Sequence, residues 1–374
     1  MKGPPFLRHR QQSRKRRCAA CYGARAVELP TANEIFALPA ALPLECDELL
    51  LYPQIAYATY GEPRPENAVL LIPGVTQSHL CASGRPATVA ELYSPNAWFA
   101  GALGEGKPLD TDSCWYICAG LLGSPFGSSS PLTEDPETPI VPYGPRFPAV
   151  TATDMARAAG ALCRKLGVTR LVGAVGSGFG GMVALRLAAL FPELVGSVAA
   201  LGTTAALPDG LRRKMGSVRQ QLDADRTFRH GEYAPDDPPV QALTRVRLGM
   251  LRELYSRDHL AHLYGDLFAA ERALEAEAAT FARSFDANCY ALLCDAHARV
   301  DLYESLGRIR SRTLILTASS DPLAPPERAR DTYHRLTAAG AQARYYELQS
   351  DAGHRAYELE GPKLGAVLRE FLGR

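Results

Sequence analysis

Short apolar runs alternate with helix-like segments along most of the chain. The runs are four or five residues long and cover residues 68–72, 114–118, 171–175, 198–201, 313–316 and 345–348. Runs this short suit strands that are buried on both faces of a parallel sheet. Helical stretches at 154–165 and 182–190 are predicted between some of them. Alternating strands and helices predict an α/β fold with a mostly parallel, doubly wound sheet.

The alternation breaks at residues 208–305, which are rich in charge, helical in pattern and free of strand-like runs. We interpret this stretch as a helical lid insertion over one end of the sheet. It divides the α/β core into a first part, 46–207, and a last part, 306–374. Residues 122–148 are dense in Gly, Pro and Ser, which indicates a long ordered loop.

Charge is distributed unevenly along the 374 residues. Residues 1–26 hold eight Lys or Arg and no acid, whereas the rest holds 33 Lys and Arg against 40 Asp and Glu. We therefore predict a basic, flexible extension at 1–45 and an acidic body, which argues against a nucleic-acid partner. No apolar run approaches the roughly 18–20 residues that cross a bilayer, so we expect no membrane association.

The cysteine content favours an intracellular, cytoplasmic protein. Nine cysteines form an odd, irregularly spaced set, and no secretory segment precedes them. Cys18 and Cys21 have the spacing of half a zinc site, but no second pair follows, so we expect no metal. The basic N-terminus is typical of a mitochondrial transit peptide, a nuclear address or a solvated tail, and these alternatives stay open.

Residues 176–182 follow a predicted strand and precede a predicted helix, as in the turn that presents a nucleophile in the form Gly-x-nucleophile-x-Gly. The bracketing glycines are Gly176 and Gly180, which puts Gly178 at the centre. Glycine has no side chain that could carry an acyl group. Ser177, one position earlier, is the candidate nucleophile, because glycines on both sides permit a shifted backbone. Ser78 is a weaker candidate.

An acid and a base follow in the order that this chemistry requires. Asp321 comes just after the predicted strand 313–316, and His354 just after 345–348. Singly, an Asp-Pro pair is common in turns and a histidine is common at surfaces. Their joint position after the last two strands predicts an acid–base pair in which Asp321 orients His354.

With these residues in view, the chain resembles the homoserine O-acetyltransferases and their fungal relatives, including deacetylcephalosporin C acetyltransferases, over about residues 46–374. An example is the run Phe-Asp-Ala-Asn at 285–288. The matching segments are 56–61, 123–128, 142–144, 147–154, 180–182, 225–233, 281–288 and 353–354. The resemblance implies an α/β-hydrolase fold.

The resemblance also implies an activity, namely transfer of an acyl group from acyl-CoA to the hydroxyl of a small molecule through an acyl-serine. It makes Asp321 the acid and His354 the base, and Val75 and Phe179 the backbone donors to the oxyanion. Arg219 matches a substrate-side arginine, although a solvated charge on a lid helix is the alternative. Acyl-CoA is then a co-substrate, no cofactor is bound, and a homodimer through the lid is expected.

Three positions depart from the family pattern. Gly178 replaces the nucleophilic serine, Arg355 replaces an aspartate after the histidine, and Gly120 replaces an asparagine near the site. We expect Arg355 to contact the substrate, to repel an ammonium group and to favour an anionic acceptor. Three hypotheses remain: an O-acyltransferase, an esterase, or a catalytically impaired pseudoenzyme. A role in secondary metabolism is a narrower form of the first.

Overall fold

The computed structural model describes residues 32–82 and 102–373. At its centre lies an eight-stranded sheet in the order β1-β4-β6-β5-β7-β8-β9-β10, and β2 and β3 form a separate ribbon. The strands are β1 Ala32–Ala37, β2 Leu42–Pro43, β3 Leu49–Leu50, β4 Gln54–Tyr60, β5 Ala68–Ile72, β6 Trp115–Ala119, β7 Gly173–Ser177, β8 Ser197–Leu201, β9 Arg312–Ala318 and β10 Ala343–Leu348. Pairing is antiparallel from β1 to β4 and from β4 to β6, and parallel across the rest.

Twelve α-helices surround the sheet in the described residues. They are α1 Ala152–Lys165, α2 Phe179–Leu190, α3 Asp209–Gly216, α4 Val218–Asp223, α5 Val240–Leu254, α6 Arg257–Tyr264, α7 Leu267–Ser284, α8 Ala287–Ala298, α9 Tyr303–Leu306, α10 Pro326–Ala338, α11 Ala356–Leu359 and α12 Gly361–Leu372. Among the helices described, none combines the length and the apolar character that crossing a membrane demands.

Strand β5 shows how the core is divided between the two faces of the sheet. Ala68, Leu70 and Ile72 point into a core that also holds α1 and α2. Val69 and Leu71 point the other way, into a core that includes α12. Because neighbouring side chains alternate between faces, a strand that is apolar throughout requires cover on both. The predicted α/β fold with a mostly parallel sheet and flanking helices is confirmed.

The predicted extension at 1–45 is too long. Residues 1–31, including Cys18 and Cys21, lie outside the described part of the chain, but β1 pairs in register with β4, Ala32 opposite Thr59 and Ala37 opposite Gln54. The sheet therefore begins well before residue 46. This strand has no apolar run to reveal it, since it lies at the edge of the sheet and its side chains are mostly exposed.

Between β8 and β9 the chain forms helices α3 to α9 with no intervening sheet strand among the described residues. A bridge between Ala206 and Asp301 brings the two ends of this helical segment together. Helices α5 and α8 of the segment contribute side chains to the pocket described below.

Candidate active site

A tight turn joins β7 to α2 and has Gly178 at its apex. The backbone of Gly178 adopts φ +54° and ψ −119°, a conformation that L-residues rarely adopt. A Cβ on Gly176 would lie 2.2 Å from the carbonyl oxygen of Gly180, and one on Gly180 would lie 2.3 Å from a carbonyl oxygen of β5. The bracketing positions therefore admit only glycine, and the strand–turn–helix context predicted from the sequence is present.

The apex faces the imidazole of His354. A Cβ built on Gly178 would lie 3.1 Å from His354 Nε2 and 3.5 Å from Cε1. An oxygen atom near that point is within hydrogen-bonding range of the imidazole, because such bonds measure about 2.7–3.2 Å. The base thus faces the position of a nucleophile, although Gly178 supplies no side-chain atom there.

Ser177 does not take over this position. Its residue is buried and lines the same pocket, but within residues 32–82 and 102–373 no hydrogen bond joins its hydroxyl to His354. An activated serine requires that contact with its base. Ser78 is also buried, and its hydroxyl accepts a hydrogen bond from the N–H of Leu80 at 3.1 Å. The structure therefore supports neither serine as the nucleophile.

Asp321 and His354 are brought together as a hydrogen-bonded pair. His354 Nδ1 lies 2.9 Å from one carboxylate oxygen of Asp321 and 3.1 Å from the other. The buried carboxylate also accepts bonds from the N–H groups of Leu323 at 2.8 Å and Ala324 at 3.0 Å, and from the Tyr357 hydroxyl at 2.7 Å. With these four donors the charge is held in place, and Nε2 is left to face the apex.

Mutual attraction determines the pKa values of this pair. Burial alone disfavours the charged form of each group, but the His354 charge and hydrogen bond hold the pKa of Asp321 below its usual value. Burial likewise lowers the pKa of His354, yet Asp321 outweighs it and raises that pKa above the usual value. A more basic imidazole takes a proton from a hydroxyl or water more readily.

Val75 and Phe179 both line the pocket, as their predicted role as oxyanion donors requires. Phe179 is the first residue of α2, so its N–H has no acceptor within the helix and lies at the positive end of the helix dipole. Gln77 holds the loop before Val75, accepting from the Gly74 N–H at 2.9 Å. These donors can stabilise a negative oxygen that develops beside His354.

The pocket over the apex is small, with a cavity of about 90 Å³. Pockets that enclose drug-sized ligands measure roughly 300–1,000 Å³, so the enclosed space suits a small acyl group. Most of its far wall comes from the helical segment, and the side chains there include Met215, Arg247, Met250, Leu254, Tyr290 and His297. In the described residues no group of three or more His, Cys, Asp or Glu side chains could hold a metal ion.

Arg247 and His297 were not recognised as site residues from the sequence. Both lie in the stretch interpreted only as a charged helical insertion, and neither sits in a motif with recognisable spacing. Only the folding of α5 and α8 over the apex brings them to the pocket.

Arg355 lines the pocket, as expected of a residue that contacts the substrate, but two carboxylates pair with its guanidinium. Its guanidinium is buried and pairs with Glu277 at 3.0 Å and Glu358 at 2.6 Å, and it lies over the ring of Tyr255. Two carboxylates therefore offset its charge. Its partners sit on α7 and α11 and offset its charge, so these contacts do not support the expectation that Arg355 repels an ammonium group and selects an anionic acceptor.

Arg219 lies in a different depression from His354. Its guanidinium donates to the side chain of Asn288 at 3.2 Å and to the carbonyl oxygen of His230 at 2.9 Å. It also packs over the ring of Phe228. These contacts make Arg219 a link between α4 and α8, and the structure does not bring it to the apex.

Gly120 is not beside the pocket. A Cβ there would lie 2.9 Å from both the carbonyl oxygen of Ala56 and the hydroxyl of Ser128. The position is therefore closely packed between β4 and the loop that follows β6. The expectation that Gly120 removes a polar handle from the site is wrong for this reason.

Comparison with known proteins identifies the family and the fold. The model of the alpha/beta hydrolase fold family matches residues 67–361. Homoserine O-acetyltransferase of Zymomonas mobilis is 32% identical over 362 residues, which cover 90% of this chain and 95% of that protein. Homoserine O-acetyltransferase of Natronomonas pharaonis is 32% identical over 358 residues, covering 88% of each chain.

Two solved structures share the fold. Homoserine O-acetyltransferase of Bacillus anthracis superposes with a TM-score of 0.83 at 22% identity and covers 92% of this chain and 98% of its own. Esterase E22 superposes with a TM-score of 0.81 at 20% identity and covers 91% of this chain and 99% of its own. The chain belongs to the homoserine O-acetyltransferase family of α/β-hydrolase-fold proteins.

Proposed function

We propose that this protein transfers a small acyl group from acyl-CoA to the hydroxyl of a small molecule without forming an acyl-enzyme. The observation that carries the proposal is the apex, where His354 Nε2 faces the vacant Cβ position of Gly178 at 3.1 Å. An oxygen of the acceptor, or of water, fits at that point within hydrogen-bonding range of the base. The substrate then supplies the nucleophile that Gly178 does not.

The chemistry balances as a single displacement. The acceptor oxygen attacks the acyl carbonyl carbon while His354 takes its proton, and Asp321 stays ionised and orients the ring. The N–H groups of Val75 and Phe179 stabilise the negative oxygen of the tetrahedral intermediate. When the carbon–sulfur bond to CoA breaks, His354 returns the proton to the departing thiolate. Water in place of the acceptor gives hydrolysis by the same steps.

The names of related proteins are consistent with this assignment, since they include homoserine O-acetyltransferases and esterases. The proposed homodimer through the helical segment is consistent with exposed apolar side chains there, at Leu263, Leu267 and Phe268. A relation to the deacetylcephalosporin C acetyltransferases and a place in secondary metabolism stay predictions from the sequence.

The test measures turnover of acetyl-CoA with a panel of small hydroxyl compounds. The readouts are the release of CoA and mass spectrometry of the acylated product. Replacing His354 with alanine removes the base, and general base catalysis contributes about 10²–10⁴-fold. The matched control is His334→Ala on the exposed face of α10. We expect the control to keep the wild-type rate. Turnover that survives His354→Ala would contradict the proposal.

A second function is favoured by one observation, the lack of any nucleophilic side chain at Gly178. A non-catalytic protein that binds acyl compounds in this pocket would bind acetyl-CoA but release no CoA above the uncatalysed rate. In that case His354→Ala would change the binding of acetyl-CoA but not the rate of CoA release. The turnover panel therefore separates the two functions.

A further inference from the structure

His297 on α8 is a buried polar side chain without a hydrogen-bond partner in the described part of the chain. It is 4% exposed, and neither ring nitrogen has a hydrogen-bond partner among the described residues. Its ring lies against that of Phe179 with 5.0 Å between centroids, at the wall of the pocket over the apex. Buried polar groups nearly always have partners in native structures, so an unpaired one at a pocket wall indicates a ligand atom or an ordered water.

The imidazole of His297 is neutral at physiological pH. Burial, and then the nearby charge of His354, lower its pKa to about 3. A neutral imidazole offers one N–H donor and one acceptor nitrogen. His297 can therefore donate a hydrogen bond to a ligand oxygen without adding a positive charge to the pocket.

Arg247 on α5 is a buried cation at the same pocket. It is 5% exposed, and its guanidinium lies over the ring of Phe281, 4.6 Å from the centroid. It approaches the Tyr290 hydroxyl, but its Nε–H has no hydrogen-bond partner within the described part of the chain. No ion pair of the described residues includes Arg247. The other arginines with ion pairs on α5, Arg245 and Arg252, each pair with a carboxylate.

The acids close to this pocket are already engaged. Glu277 and Glu358 pair with Arg355, and Asp321 pairs with His354. Arg247 therefore carries a positive charge that the described residues leave without a carboxylate. Burying a charge is unfavourable unless it is paired, so such a residue at a pocket indicates an anionic ligand.

We propose that Arg247 and His297 form a binding site for a carboxylate group of the substrate. Arginine matches the two oxygens of a carboxylate with parallel N–H groups, and the neutral imidazole adds one further donor. The site rests on the proposed function in one respect, since the carboxylate belongs to the acyl group or to the acceptor of that reaction. This site takes the substrate-binding role that the sequence suggested for Arg219 and Arg355. Arg219 lies in a different depression, and two carboxylates offset the charge of Arg355.

Binding tests the site without requiring turnover. Thermal-shift titrations of the full chain at fixed ionic strength compare succinate with succinamide, its uncharged counterpart. We expect wild type to bind succinate at least about tenfold more tightly, as for a buried charge pair. Arg247→Gln should abolish that preference, and His297→Phe should weaken it. Equal binding of the two probes by wild type would overturn the proposal.

Two further variants separate the contribution of charge from that of donor geometry and control for the loss of an arginine from α5. Arg247→Lys keeps the charge but loses the parallel donors, so it should retain only part of the preference, and it serves if Arg247→Gln does not fold. Arg245→Gln, on the same helix, removes an exposed arginine that pairs with Asp225, and should behave as wild type. A lysine variant that matches wild type, or a preference lost equally in Arg245→Gln, would contradict the assignment.

Turnover then identifies which substrate carries the carboxylate. The acyl arm compares 4-nitrophenyl hemisuccinate with 4-nitrophenyl acetate, and the acceptor arm compares 4-hydroxybutyrate with 1-butanol as acceptors from acetyl-CoA. A preference for the acid that Arg247→Gln removes in one arm assigns the source. Succinate binding without turnover in either arm supports the site and contradicts the proposed function. Turnover without any preference for the acid does the reverse.

Discussion

Replacing Gly178 with serine puts a hydroxyl at the apex of the turn between β7 and α2. The new Cβ would lie 3.1 Å from Nε2 and 3.5 Å from Cε1 of His354, which is tight for a carbon atom. The imidazole therefore has to shift by a few tenths of an ångström. After that shift the hydroxyl lies within hydrogen-bonding range of a base that Asp321 already orients.

Two opposing magnitudes follow from this geometry. At φ +54° a residue with a side chain is strained, which costs about 1–3 kcal/mol of the free energy of unfolding. Against this, loss of the serine from a complete triad lowers turnover by about 10⁶-fold. Since the imidazole of His354 is not seated against a hydroxyl in the native chain, we expect only part of that factor, about 10²–10⁴-fold, in the rate of acylation.

The assay is the burst of nitrophenol from 4-nitrophenyl acetate, together with labelling by a fluorophosphonate probe. Gly178→Ala is the matched control, because it introduces the same strain and the same contact with His354 but no hydroxyl. We expect the serine variant to give a burst and a probe adduct, and the alanine variant to give neither. If both variants fold and behave alike, the acid–base pair is not competent and the reasoning is refuted.

Three further predictions concern the acid–base pair and its surroundings. In a pH–rate profile the rate should rise with pH through the pKa of His354, because the base must be neutral, and this pKa lies above the ordinary ~6.5. Asp321→Asn should lower the midpoint of that profile and slow turnover about 10²–10⁴-fold. Tyr357→Phe removes a buried hydroxyl that bonds Asp321, and should cost about 1–3 kcal/mol in denaturant unfolding; a cost near zero would contradict the contact. Arg355→Leu removes a buried guanidinium that pairs with two carboxylates and should cost about 2–4 kcal/mol, somewhat below the 3–5 kcal/mol of a fully buried pair. The exposed Arg344→Leu should cost at most about 1 kcal/mol.

Much of the fold could be predicted because parallel strands buried on both faces leave an unmistakable apolar pattern. Predicted runs such as 68–72 and 198–201 fall on β5 and β8. The edge strand β1 could not be predicted, since its described side chains are mostly exposed. An apolar run in the sequence reflects buried side chains, and an edge strand such as β1 buries few of them.

The candidate site was predictable only where local motifs carry it. The glycine-bracketed turn, Asp321 and His354 follow strands, so their meeting at one edge of the sheet follows from topology. Arg355 was misjudged because one of its partners, Glu277, is distant in sequence. Arg247 and His297 reach the pocket through the packing of α5 and α8, which no spacing along the chain encodes.

The central claim is that His354 activates an oxygen that the substrate supplies, with no acyl group passing through the chain. Intact-mass spectrometry of wild type, quenched during steady turnover of acetyl-CoA with an active acceptor, tests it most directly. The account predicts unmodified protein throughout a turnover that His354→Ala abolishes. An acetyl group found on the chain at kinetically competent rates, at Ser177 or elsewhere, would contradict it.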